Sequence, residues 1–407
     1  MKTVTTTPSA TPKEAGEALP VFGLLALAMT GFIAILTETL PAGLLPQISG
    51  GLGVSDALAG QFISAYALGS LLAAIPLAIA TQGWRRRPTL LTAVIGFLVF
   101  NSLTTFAWSY PVALFSRLMA GVAAGLAWGI LAGYSRRLAP THLQGKALAI
   151  AMVGTPIALS LGTPAGTWLG AWVGWRFSFG VMSALALVLV AWILIAVPDL
   201  PGQPAGKRLP LLKVLRLRGV APVLLVIMIW MLGHNVLYTY IAPYLAAHGL
   251  HENVDRVLLT FGLTALLGIW IIGVTVDRWL RSLVLLCLAG FMAAALVMAN
   301  AGDQPVAIYL GVALWGLSFG GAATLLQTAA ADNAGPHVDV VQAMVTTSWN
   351  IAIALGGLSG GILLQSYGAN ASTWAMALLS LVGLLLALWA SHGFRPGART
   401  GPHSVGH

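Results

Sequence analysis

Twelve apolar runs, each long enough to cross a lipid bilayer, constrain this chain more than any other feature. A span needs about 20 predominantly apolar residues to cover a hydrocarbon core of about 30 Å. Runs of that kind lie near 21–44, 57–81, 88–108, 111–133, 147–169 and 177–197, and again near 220–245, 257–276, 282–300, 305–329, 340–364 and 371–391. Lipid offers no partner to a free backbone amide, so only elements that close their own hydrogen bonds survive there. The reading is an all-α membrane protein of twelve transmembrane helices, six on each side of the polar stretch "DLPGQPAGKRLPLLKVLRLRG" at 199–219.

The charge inventory supports this. Only 8% of the residues are charged, where a soluble domain carries about a quarter, and the mean hydropathy is +0.88. Too few charges exist to cover a water-facing surface. With the N-terminus placed in the cytoplasm, 17 of the 20 basic residues fall in cytoplasmic segments, Arg176 and Arg256 fall in outer loops, and Arg117 lies within a span. That bias sets the orientation: both termini are expected inside a bacterial inner membrane. The net charge of +9 is then a cytoplasmic rim facing lipid, and needs no nucleic-acid partner.

The expected organisation is a disordered cytoplasmic tail (1–18), a six-helix bundle (19–198), a cytoplasmic linker (199–219), a second six-helix bundle (220–393) and a disordered tail (394–407). No cleavable leader precedes the first span, since its apolar run is too long for one. The basic part of the linker, "KRLPLLKVLRLRG", suits an amphipathic segment on the inner leaflet. The single cysteine, Cys287, excludes an intramolecular disulfide. No phosphate-binding loop, Ser-His-Asp grouping or Cys/His metal spacing is present. The chain is therefore not read as an enzyme or an ATP-driven pump, no metal or cofactor is expected, and an ion gradient is the expected energy source.

The halves repeat. "LGTPAGTWLGAWVGW" (161–175) resembles "LGGLSGGILLQSYGA" (355–369) at an offset of 194, while Gly121 and Gly125 recur as Gly316 and Gly320, and "QGWRRR" (82–87) as "DRWLRS" (277–282), at an offset of 195. Six spans per half, an even number, insert both halves with one orientation, which makes a parallel repeat with the path between the bundles.

Four motifs resemble the major facilitator superfamily. "GVTVDRWLR" (273–281) looks like its Gly-x-x-x-Asp-Arg-x-x-Arg loop, and "RLMAGVAAG" (117–125) like its fourth-span arginine motif. "LGTPAGTWLG" (161–170) is similar to the fifth-span Gly-Pro motif of its antiporters, and "GWRFSF" (174–179) to the start of span six in efflux members. The resemblance covers residues 20 to 393 and points to the twelve-span drug:proton antiporter branch. "TETLPAGLLPQISGGLGVSDALAGQFISAYALG" (37–69) looks most like the bacterial arabinose-type sugar efflux permeases. The family's gate residues map to Arg85 and Arg86 in the first loop and to Asp277, Arg278 and Arg281 in the second. One position departs from the pattern: the first loop reads "ATQGWRRRP", with Gln82 where the family usually has Asp. The relay would then rest on Asp277 alone, or the arginines would use helix-end carbonyls.

Of the 11 acids, only Glu38 falls well inside a span. A charge at bilayer depth costs about 2.5 kcal/mol or more, so it is paired, protonated or facing water. Glu38 and Arg117 each lie some six residues from the outer end of their runs, roughly 9 Å deep at about 1.5 Å per residue, so the two can meet. Glu38 reads as a proton carrier, with Arg117 in coupling or as an anchor. The alternatives are a structural pair, or a carboxylate snorkelling to the outer headgroups across a break at Pro41.

Span seven, "MLGHNVLYTYIAPYL", places His234 one turn from Tyr238 and Tyr240 one turn from Tyr244, a polar-aromatic face. His234, Asn235, Tyr238 and Tyr240, with Gln327, Trp349 and Asn350, are the candidate substrate contacts, although polar residues also stitch helices together in membranes. His234 is a second proton candidate. Gly162, Pro164 and Gly166 form a small-residue, kinkable stripe that suits a moving carrier. Together these readings describe a proton-coupled exporter of sugars or drugs, binding a small solute and protons and acting as a monomer. An importer on the same fold, or a non-transporting receptor, is the alternative.

Overall fold

The computed structural model describes residues 19–140, 143–202, 214–334 and 338–394, apart from the side chains at 75, 78, 145, 277, 338 and 339. Both tails beyond residue 19 and residue 394, most of the linker and the Asp277 side chain lie outside the described residues. Among the described residues, twelve helices are long and apolar enough to cross a membrane. They are α1 (Val21–Leu52), α2 (Asp56–Ala74), α3 (Arg86–Thr105), α4 (Tyr110–Arg137), α5 (Lys146–Val173) and α6 (Trp175–Ala196), followed by α7 (Val220–Tyr238), α8 (His251–Val276), α9 (Arg278–Ala299), α10 (Pro305–Asp332), α11 (Val340–Tyr367) and α12 (Ala371–Trp389). No strand occurs among the described residues.

Local chemistry sets the ends. Gly53 closes α1 with a left-handed φ of 65°, and its N–H donates to the Ser49 carbonyl. Ser55 then caps α2 by accepting from the Leu58 amide at 3.3 Å. The tight connection follows from glycine's tolerance of positive φ and from an N-cap hydroxyl.

Two apolar cores form. One gathers residues from Leu24 to Val197, the other from Val214 to Phe394. Three buried residues cross over: Ala42 and Ile63 pack into the second core, and Tyr240 into the first. The repeat extends to close packing. A Cβ on Gly121 or Gly125 would run into the carbonyls of Tyr66 and Ser70 on α2. A Cβ on Gly316 or Gly320 would run into the carbonyls of Phe261 and Ala265 on α8. All four partners obey the same offset of 195. Small residues let these backbones touch, so α4 lies on α2 as α10 lies on α8.

Prolines shape the helices that line the interface between the halves. In α5 a π-helical turn spans Ala158–Gly162, directly before Pro164, which lacks the N–H that the Ser160 carbonyl would accept. Gly262 of α8 presses against that carbonyl from the other half. By contrast, α1 runs unbroken through Pro41 and Pro46 to Leu52. The break expected at Pro41 is absent, because flanking turns and side chains carry the helix across it. Glu38 therefore sits fourteen residues before the end of its helix.

Candidate functional site

Arg117 is fully buried, clamped between the rings of Tyr66 at 5.1 Å and Phe179 at 5.3 Å. One guanidinium nitrogen donates to the Thr37 carbonyl of α1, while Nε and the other terminal nitrogen have no partner. Asn101 of α3 donates to the Thr37 hydroxyl at 3.1 Å, and the Tyr66 hydroxyl donates to the Ala34 carbonyl at 2.8 Å. Arg117 thus binds α1 through its backbone. Glu38, the next residue, is half-buried and lies within the electrostatic field of Arg117, but the two do not form a salt bridge. Arg117 and Glu38 thus lie side by side across α1 and α4 without pairing directly: the hydrogen bond that Arg117 makes goes to the carbonyl beside the acid.

The second half contributes an aromatic box. His234 stacks on Phe319 at 3.7 Å with ring planes 2° apart, and Tyr238, Phe261 and Trp315 close the remaining sides. The Trp315 indole donates to His234 Nδ1 at 3.2 Å. Indole only donates, so Nδ1 accepts and the imidazole is neutral in this arrangement. The Tyr238 hydroxyl reaches across to the Thr39 and Thr163 hydroxyls of the first half, without a well-aligned bond. Those two threonines bond each other at 2.8 Å. Glu38, Thr39, Thr163 and Tyr238 therefore bring α1, α5 and α7 together at one polar point between the halves.

Tyr240 and Tyr244 do not extend that face. The helix breaks at Thr239, and Ile241–Ala247 forms a separate short helix. Pro243 is the cause: its ring removes the amide that would bond the Thr239 carbonyl and crowds that carbonyl. Tyr244 turns into its own half and donates to the Met298 carbonyl at 2.8 Å. Tyr240 crosses to the other half instead. Within its own half the hydroxyl donates to the Gly357 carbonyl at 2.6 Å; toward the first half it lies 3.3 Å from the Ala57 carbonyl and accepts from the Gln61 amide at 3.4 Å. Gln61 of α2 bonds the same Gly357 carbonyl at 3.2 Å, and Gln365 of α11 bonds Ser55 at 3.1 Å. The links of Ala57, Gln61 and Ser55 with Tyr240, Gly357 and Gln365 join the halves at the end of the bundles opposite residues 20 and 394.

The remaining candidates are scattered. Asn235 turns back on the Met231 carbonyl at 2.8 Å and Asn350 on the Thr346 carbonyl at 3.0 Å. Trp349 packs beside the second core with its indole nitrogen unpartnered. Gln327 is exposed, and its carbonyl accepts from Gln342 at 3.1 Å. In the stripe, Gly162 meets Phe32 and Gly166 meets Leu40, both on α1.

At the gate, Arg85 binds an acid that the sequence reading missed: Nε donates to Asp199 Oδ2 at 2.5 Å. The Arg87 amide donates to Asp199 Oδ1 at 3.2 Å, and the Arg86 amide to the Leu200 carbonyl at 2.8 Å. Arg86 itself donates to the Gln82 carbonyl at 3.0 Å. In the second loop, Arg278 lies 5.2 Å from the Trp279 ring, and Arg281 donates to the Leu388 carbonyl at 3.3 Å. Carbonyl partners for the arginines were one of the two expectations; the linker acid adds a third arrangement.

A membrane protein of two matched six-helix halves, sealed against each other at one end, with an acid and a buried arginine inside its spans, has the architecture of a solute carrier. The Major Facilitator Superfamily profile matches residues 27–340 and 257–404, and the chain belongs to that family. A "Probable sugar efflux transporter" of Haemophilus influenzae (strain PittGG) is 28% identical over 378 residues, covering 91% of this chain and 94% of the relative. The "Transcription regulatory protein OpdE" of Pseudomonas aeruginosa is 29% identical over 394 residues, covering 92% and 94%. Among solved structures, an inward-facing, occupied bacterial homologue of the human lysosomal transporter Spinster aligns with a TM-score of 0.73 at 16% identity, covering 93% of this chain and 98% of that one. The xylose transporter XylE of E. coli, partially occluded and inward open, aligns at 0.72 with 14% identity, covering 91% and 99%. The chain is a multi-pass membrane transporter and not an enzyme.

Proposed function

We propose that this chain is a proton-coupled efflux carrier of the bacterial inner membrane, exporting small sugars or drugs in exchange for protons, with both termini in the cytoplasm. The observation that carries the reading is Glu38: a carboxylate inside a span, beside a fully buried arginine that does not pair with it. An unpaired acid at that depth favours uptake of a proton, and its contact with the seam between the halves lets protonation bias their packing. His234 is a weaker carrier, because protonating Nδ1 would break its bond from Trp315. Residues 19–198 and 220–393 act as the two bodies, alternating around the polar point at Glu38, Thr163 and Tyr238. On the orientation given by the basic residues, the sealed face is the outer one, so this arrangement opens inward. A monomer suffices, since both bodies reside in one chain. Drug resistance would follow where the solute is an antibiotic.

The named efflux relative supports export of a sugar-like solute. The relative named as a regulatory protein supports the second reading, a membrane sensor that moves nothing. Inside-out vesicles separate these. With a panel of sugars, nucleosides and antibiotics, a carrier should accumulate at least one solute when a pH gradient is imposed, and Glu38→Gln should abolish that. Accumulation that ignores the gradient would overturn proton coupling, and no accumulation of any solute would favour the sensor.

A further inference from the structure

The contact between Arg117 and the Thr37 carbonyl depends on a residue four places further on. In an α-helix the carbonyl of residue 37 accepts the amide of residue 41. Residue 41 is a proline, which has no N–H, and its ring crowds the carbonyl four residues back and tilts it off the helix axis. The carbonyl that Pro41 strips of its helical donor is the one that Arg117 occupies. An orphaned carbonyl inside a span needs a donor, and a buried guanidinium needs an acceptor. Each supplies the other.

We infer that Pro41 is a positioning residue for proton coupling: by exposing the Thr37 carbonyl it holds Arg117 on the backbone of α1 and off the adjacent Glu38 carboxylate. This rests on the reading of Glu38 as the proton carrier, and it explains how an acid beside a permanent cation stays free to exchange a proton. An acid locked in a bidentate pair with arginine would have to break that pair at every turnover. Here the arginine supplies its field while its hydrogen bond goes elsewhere. The groups facing Glu38 from neighbouring helices are Arg117 on α4, Tyr66 on α2 and Tyr238 on α7. Arg117 is the one cation among them, so its position decides whether Glu38 is paired.

The second proline of the same helix supplies a control. Pro46 strips the Ala42 carbonyl in the same way, yet no side-chain donor among the described residues bonds to that carbonyl. Pro41→Ala should restore the helical bond to Thr37, draw its carbonyl back toward the axis, and let Arg117 swing onto Glu38. Pro46→Ala should do nothing comparable.

The test is a set of double-mutant cycles read by thermal unfolding of the purified full chain in detergent, which needs no substrate. Glu38→Gln, Arg117→Gln and their combination are compared in the native, Pro41→Ala and Pro46→Ala backgrounds. In the native and Pro46→Ala proteins the two Tm changes should depart from additivity only by the small amount that the field of Arg117 accounts for. In the Pro41→Ala protein they should depart from additivity by about 2 °C or more, as a direct pair forms. A purely structural proline would shift every Tm without changing the coupling. Equal coupling in all three backgrounds overturns the inference, as does equal growth of coupling in both proline variants. Should Arg117→Gln not fold, Arg117→Lys takes its place, since a lysine cannot span both acceptors in the same way. Gradient-driven transport by Glu38→Gln would overturn the proton-carrier reading itself. Lost transport with unchanged coupling would overturn only the role of Pro41.

Discussion

The Tyr240 hydroxyl and the Gly357 carbonyl are 2.6 Å apart, in a slot made of glycine. Gly60 of α2 and Gly360 and Gly361 of α11 all face the Tyr240 side chain. A methyl on Gly360 would stand 2.8 Å from the ring, and one on Gly361 2.7 Å from the hydroxyl. The ring is 1% exposed, and its bond to Gly357 lies within its own half, so opening the seal must part it from Gly60 and Ala57 of α2 and from the Gln61 amide, which donates to its hydroxyl at 3.4 Å. Tyr240→Phe keeps the ring and removes the hydroxyl. The bond lost across the seam is the one from Gln61; one hydrogen bond is worth about 0.5–1.5 kcal/mol, and Gln61 still bonds Gly357, so the closed state should weaken roughly threefold. Ser64, buried against Gly357, is the place to read this: Ser64→Cys should react about threefold faster with an impermeant thiol reagent in the Tyr240→Phe protein. The native Cys287 is buried and keeps the background low. An unchanged rate would mean that helix packing alone makes the seal.

Gly166 is closed to a large side chain for a different reason. Its Cβ would meet the Leu40 methyl at 2.6 Å, and Leu40 lies between Thr39 and Pro41 on α1. A flexible methyl can yield to alanine. A leucine would force α1 and α5 apart at the polar point between the halves, at a cost of about 1–3 kcal/mol. Gly166→Leu should therefore express and insert, but transport severalfold more slowly. Normal transport with normal yield would show that this part of α5 does not need close contact with α1.

These contacts divide by what a sequence can spell. Helix number and the repeat were legible because both are written in spacing: run lengths near the bilayer thickness, and glycine pairs at one offset that proved to carry their partner carbonyls with them. Glu38 and Arg117 stood out as charges in apolar runs. What they bind did not, since the acceptor for Arg117 is a backbone carbonyl, and a carbonyl has no letter. Pro41 was visible, but the group using the freed acceptor lies on α4. The tyrosine face of span seven was drawn on an unbroken helix, and Pro243 in the quoted stretch was the signal that it would break. Asp199 stands in a stretch that reads as linker, although a run of three arginines without its usual acid implies an acid from elsewhere.

That acid makes a pH-dependent prediction. Slight burial works against the charge on Asp199, but the hydrogen bonds from Arg85 and the Arg87 amide, with their positive fields, outweigh it and hold its carboxyl below the usual range. A lowered folded-state value means that the pair stabilises the fold above the ordinary carboxylate range, and that this is lost as pH falls through the folded value. Arg85 is largely exposed, so solvent screening limits the pair to about 0.2–1 kcal/mol. Asp199→Asn should lower Tm by a degree or two, about equally at pH 6 and pH 8. The difference from the native protein should shrink below about pH 4. A difference that persists in acid would assign the effect to the carbonyl links of Pro198, Leu200 and Pro201 with Tyr134, Arg86 and Arg137.

The last test concerns Glu38, where three accounts forecast three outcomes. As a proton carrier, Glu38→Gln mimics the protonated acid: uphill export driven by a pH gradient is lost, while downhill exchange persists. As a snorkelling carboxylate it would be replaced without loss, because glutamine needs less hydration at that depth. As half of a buried ion pair its removal would strand Arg117, and breaking such a pair costs about 3–5 kcal/mol, so yield and Tm would fall first. The geometry separates the first account from the third. Arg117 already has its acceptor on Thr37 and no salt bridge to lose, so Glu38→Gln should fold with a Tm within a few degrees of native. Arg117→Gln should be the more damaging change, since it empties a fully buried site and orphans the Thr37 carbonyl. The measurement is gradient-driven transport against folded yield for both variants. A well-folded Glu38→Gln protein that still pumps uphill would sink the proton-carrier account, and one that unfolds would mean that Glu38 holds α1 and α4 together after all.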